Sequence, residues 1–137
     1  MRDKVRLLRI SYWTGAVLDG LTVIPMLFPA AGAAIYGIRD FHPGPEYRYA
    51  MGLAASLMAG WTVLLIWADR KPVERKGILL LTLFPVLPGL AGAGAYAVIE
   101  NVIAVDRMLP TWIVQALVAT LFAWSYVSAA KTEPAGA

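Results

Sequence analysis

Cysteine is absent from the chain and histidine occurs once, as His42. Those two scarcities exclude disulfides, thiolate chemistry and the usual zinc, haem and iron–sulfur ligand sets, so neither a metal nor a cofactor is expected. Charge is scarce too: Asp, Glu, Lys and Arg make up 15% of 137 residues, against about a quarter in a soluble domain. A glycine-rich phosphate loop, an HExxH helix and a GxSxG elbow are all missing. Ser11, Ser56, Ser125 and Ser128 have no evident histidine base, since His42 sits in a polar loop. No enzymatic activity is expected on these grounds. Strand-type alternation is missing as well, which excludes a membrane barrel.

What is present is apolar. Hydrophobic residues make up 59% of the sequence, gathered into runs of membrane-crossing length. The expected fold is an all-α integral membrane protein with four transmembrane helices, forming one domain over residues 1–137. The apolar runs cover residues 10–38, about 49–67, 77–105 and about 111–130, and the tail 131–137 reads as flexible. The N-terminal run is longer than the ~7–15 residues of a cleavable signal core, so it is expected to be retained. The net charge of +3 is not a nucleic-acid signature here, because the basic residues sit in short segments between apolar runs.

Those basic residues set an orientation. Arg2, Lys4, Arg6, Arg9, Arg70, Lys71, Arg75, Lys76 and Lys131 fall on one side, and Arg39, Arg48 and Arg107 on the other. Nine against three places both termini in the cytoplasm of a cell whose inner membrane holds four crossings. Tyr12, Trp13, Trp67, Trp124 and Tyr126 then form an inner aromatic belt, and Tyr36, Tyr47, Tyr49, Tyr96 and Trp112 an outer one.

The first and third spans resemble each other. Residues 21–38 and 81–98, compared at an offset of sixty, share eight of eighteen positions, among them Thr22/Thr82, Pro25/Pro85 and Tyr36/Tyr96. This implies two helical hairpins in parallel repeat, residues 1–68 and 69–130, with proline-kinked helices 1 and 3. Pro25, Pro85, Pro88 and Gly89 are the expected kink or hinge positions, and Thr22 and Thr82 stand three residues ahead of a proline, placed to satisfy freed carbonyls. Since Gly77 opens the third span, the repeat puts the start of the first near Val17, with residues 4–16 at the cytoplasmic interface.

The candidate binding residues follow from that frame. Asp19 interrupts an apolar run; one turn inside the boundary it meets Arg70, Arg75 or Lys76 as a structural ion pair, or else it is a functional carboxylate. Glu100, Asn101, Asp40 and His42 lie toward the outer end, with Gln115 one turn into the fourth span. They read either as ordinary helix-end polarity or as a vestibule for a cation, a proton or a polar head group. The stripes Gly89–Ala93–Ala97 and Gly52–Ser56–Gly60 permit close helix approach, within the bundle or between protomers. The function expected is that of a small transporter or channel-like protein, a homodimer in the bilayer, taking a small solute or ion. The alternative is a non-catalytic module that binds a lipid or other hydrophobic ligand, or an accessory subunit of a membrane complex.

Overall fold

The computed structural model describes residues 2–131, and among these it contains helices and no strand. The expectation of a flexible tail falls, from residue 132 onward, outside the described residues. In chain order the helices are α1 (Arg2–Leu27), α2 (Pro29–Tyr36), α3 (Pro45–Asp69), α4 (Gly77–Leu81), α5 (Leu87–Ile99) and α6 (Val105–Ala130). A π-helical turn, Thr82–Val86, joins α4 to α5. Four stretches are long and apolar enough to cross a membrane: Arg2–Leu27, Pro45–Asp69, Gly77–Ile99 and Val105–Ala130. The expected four-helix, all-α architecture is thus present in the chain.

The helices of the first and third spans are interrupted where a phenylalanine precedes a proline. Phe28, before Pro29, has φ −115° and ψ 88°; Phe84, before Pro85, has φ −141° and ψ 110°. A proline ring clashes with a helical residue ahead of it and pushes that residue toward extended backbone. Pro25 lies inside unbroken α1, and Pro88 lies in the first turn of α5, where no backbone donor is needed. The interruption of the first span therefore falls at Phe28 rather than at Pro25. The two interruptions do not align at the offset of sixty. Thr22 and Thr82 donate to Leu18 O (2.8 Å) and Ile78 O (3.0 Å), one turn earlier than the carbonyls their prolines release.

Packing is concentrated at one end of the bundle, the end carrying Arg2, Ala130 and the turn between α3 and α4. In α1 the buried positions Leu8, Ser11, Tyr12, Gly15 and Ala16 recur at helical spacing. In α6 the matching stripe is Val118, Phe122, Ser125 and Ala129. Leu65 and Ala68 of α3 and Ile78 and Leu79 of α4 complete this core. The place of Tyr12 in a lipid-facing aromatic belt is corrected by this arrangement, because its side chain is fully buried among the helices. Its hydroxyl donates to Pro72 O at 2.9 Å, and Trp13 Nε1 donates to Asp69 Oδ2 at 3.3 Å, tying α1 to the α3–α4 turn. Arg75 lies over the Trp67 ring and donates to the Trp67 carbonyl.

Toward the other end the packing thins, although Ala55 and Met108 are buried there and Arg107 of α6 lies against Gly37 at the end of α2. Trp61 Nε1 donates to Thr82 Oγ1 at 3.1 Å, which closes α3 against the third span. Beyond that level α3 stays on α1, and α5 stays on α6 through Gly94, whose Cα faces Met108 and Trp112. No residue of α2 is buried and only Gly94 of α5 is. Gly52, Gly60 and Gly89 have open space where a Cβ would point, so neither small-residue stripe packs within this chain.

Candidate functional site

Most buried polar groups at the packed end are hydrogen-bonded. Ser11 and Ser125 hydroxyls meet at 2.6 Å across α1 and α6, and Ser11 Oγ also donates to Leu7 O. Thr82 accepts from Trp61 and donates to Ile78 O. This is the ordinary condition of polar atoms removed from water.

Four buried side-chain atoms among the described residues depart from it; Asp69 Oδ1 has Arg9 at 3.6 Å and Lys76 has a partner, which leaves Asp19 and Gln115. Asp19 follows Tyr12, Gly15 and Ala16 on the buried stripe of α1, and Gln115 precedes Val118 and Phe122 on that of α6. The Oδ2 atom of Asp19 and the Oε1 atom of Gln115 are both buried with no hydrogen-bond partner. The two stripes run antiparallel and are locked in register by Ser11 on Ser125 and by Gly15 against Phe122. Followed outward in that register, Asp19 and Gln115 lie within about one helical turn of the same level. That level is also where Gly20 meets Thr62 of α3 and where Trp61 meets Thr82. The unsatisfied pair thus sits at the end of the packed core.

An ionised carboxylate is acceptor-only, and an amide presents either its oxygen or its NH₂ by rotation. What completes such a pair is a proton, a cation or a ligand carrying donors. An uncompensated charge in a membrane interior costs ~2.5–3.5 kcal/mol on insertion scales, so an acid held there without a partner has a chemical reason more readily than a structural one.

Two expectations are corrected here. The structural ion pair is not formed: Asp19, the eighteenth residue of α1, meets none of Arg70, Arg75 and Lys76. The acids that meet cations at the basic end are Asp69, 3.6 Å from Arg9, and Glu74, 2.8 Å from Lys71. Gln115 is the eleventh residue of α6, three turns in rather than one, because α6 starts at Val105.

The remaining candidates are not gathered with this pair. Glu100 is exposed at the end of α5. Asp40 and Asn101 are exposed turn residues with φ of 53° and 57°, the left-handed region that Asp and Asn tolerate best among residues with side chains. Asn101 Nδ2 donates to Ile99 O at 3.3 Å, within its own turn. No hydrogen bond or ion pair joins Asp40, His42, Glu100 and Asn101 to one another. Of the hinge candidates, Pro85 adjoins the interruption at Phe84, and Gly89 is exposed with no neighbour at its Cβ position. Among the described residues no group of three or more His, Asp or Glu side chains is placed to hold a metal.

Sequence reasoning missed the Ser11–Ser125 and Trp61–Thr82 contacts. The signal was present in part: Ser11 and Ser125 each share helical spacing with apolar residues, which marks a polar residue on a buried face.

Comparisons of this chain with protein-family models, with curated proteins and with solved structures returned no match.

Proposed function

We propose that this chain is a small polytopic carrier of the inner membrane in which Asp19, with Gln115 across from it, binds the transported or coupling cation, a proton or a small monovalent ion. The observation that carries the reading is the pair of buried, unpartnered oxygens at the level where a tightly packed half gives way to a splayed one. In this reading the site opens toward the loosely packed half when ions enter, while Phe122, Leu65 and the Trp61–Thr82 contact close it from the other. Both termini lie in the cytoplasm in this reading, from the nine-to-three excess of basic residues at their end. A homodimer accounts for the small-residue faces at Gly52, Gly60 and Gly89, which have nothing against them within one chain. The Phe–Pro interruptions at Phe28 and Phe84 supply the places where the open half changes its angle to the packed one.

The test is flux in proteoliposomes under imposed gradients of H⁺, Na⁺ or K⁺. One of the three is expected to drive flux that Asp19→Asn abolishes, Gln115→Leu reduces and Glu100→Gln leaves unchanged. Equal flux through wild type and Asp19→Asn for every ion refutes the proposal.

One observation favours the alternative, a binder of lipid or another hydrophobic ligand. A shallow cleft of about 300 Å³ between α1 and α6 is lined by Leu7, Leu117, Thr120, Leu121 and Trp124. Under that reading a hydrophobic ligand quenches Trp124 fluorescence, and Asp19→Asn leaves the quenching intact.

A further inference from the structure

The interruption at Phe28 has a second consequence at the end of the molecule far from the termini. It leaves a cleft of about 350 Å³ between the start of α2 and the α2–α3 loop, lined by Pro29, Ala30, Phe41, His42, Pro43 and Arg48. Its walls are stiff: Phe41 packs edge-on against Tyr47, with ring centroids 5.1 Å apart, and Pro43 restricts the loop backbone. Pro45 opens α3, so Arg48 stands one turn into a helix rather than on a loose loop. Among the described residues the guanidinium of Arg48 and the imidazole of His42 have no hydrogen-bond or ion-pair partner. The acids nearest in sequence are placed elsewhere: Glu46 lies against Gly44, Asp40 is in the exposed turn before the loop, and neither lines the cleft.

We propose that this cleft is a binding site for an oxyanion, phosphate or carboxylate, that carries an apolar substituent. The planar fork of Arg48 is suited to two oxygens of such a group. His42 supplies a further donor, and Phe41 with the two prolines offers an apolar wall for the substituent. The volume lies within the range of small-molecule sites, which suits a headgroup or a small organic anion and not a macromolecule. This site is separate from the Asp19–Gln115 pair and does not depend on the transport reading.

The test uses the full chain in phosphatidylcholine nanodiscs with phenyl phosphate as the soluble probe, measured by equilibrium dialysis. A second arm adds phosphatidylglycerol to the nanodiscs and counts retained lipid by native mass spectrometry. Saturable binding of either probe, weakened about tenfold or more by Arg48→Gln, is the expected result, since losing a charge-assisted contact costs on that order. Arg39→Gln, which removes the same charge outside the cleft, leaves binding unchanged, as does Asp19→Asn. The responding arm tells a soluble anion from a lipid headgroup. If neither probe binds saturably, or if Arg39→Gln and Arg48→Gln weaken binding equally, the site does not exist.

Discussion

Replacing Gly15 by alanine places a methyl group where α1 comes closest to its neighbours. The new Cβ stands 2.8 Å from Phe122 Cζ and 3.0 Å from Leu65 Cδ1, so one of two buried side chains must move. Overpacking of this kind costs about 1–3 kcal/mol. Alanine also favours the helix over glycine by about 1 kcal/mol, which offsets part of that cost. The net expectation for Gly15→Ala is a loss of about 0–2 kcal/mol by those two figures. Gly89→Ala is the matched control, because nothing lies within 4 Å of its Cβ position and only the helix preference acts. It is expected to gain up to about 1 kcal/mol, so the two variants differ by about 1–3 kcal/mol. Unfolding in mixed micelles at rising sodium dodecyl sulfate, followed by tryptophan fluorescence, reads the difference. Identical midpoints for the two variants would refute the division into a packed end and an open end.

Three further outcomes follow from particular contacts. Tyr12→Phe removes the donor to Pro72 O, lowers stability by about 1 kcal/mol and speeds hydrogen exchange in the turn at residues 70–76. The Ser11/Ser125 pair, cut by Ser125→Ala, costs about 0.6 kcal/mol as interhelical hydrogen bonds in membrane proteins do on average, and a double-mutant cycle with Ser11→Ala returns coupling of that size. Asn101→Gly relieves a left-handed backbone position; stability rises or holds and ion flux stays as in wild type, whereas lost flux would make Asn101 a ligand.

The four long apolar helices were legible because composition alone writes them, as long apolar runs separated by charged turns. Where each helix packs along its length was not. The offset of sixty rested on prolines and small residues, which report that two helices have like composition without reporting where each enters the core. That frame put Tyr12 in an aromatic belt, whereas its side chain is fully buried among the helices, and gave Asp19 basic partners that it does not meet. Which proline interrupts a helix was likewise hidden. Pro25 and Pro29 both disfavour a helical residue ahead of them, and only Phe28 leaves the helix. Asp40 and Asn101 stood out because they are polar and near a helix end; that both occupy turns at positive φ could not be read from the sequence. Gln115 was placed too shallow because the sequence shows no start for α6 ahead of Pro110, whereas the helix begins at Val105 and carries Pro110 within it.

The claim that matters most is that the Asp19 carboxylate, unpartnered at the head of the packed core, is a place where a proton or cation binds. Infrared difference spectroscopy of the reconstituted protein, recorded on adding H⁺, Na⁺ or K⁺, observes that carboxyl group directly. One of these ions is expected to produce a carboxyl band that saturates with concentration and is missing from Asp19→Asn. A spectrum that no ion changes, or a band that persists undiminished in Asp19→Asn, contradicts the account.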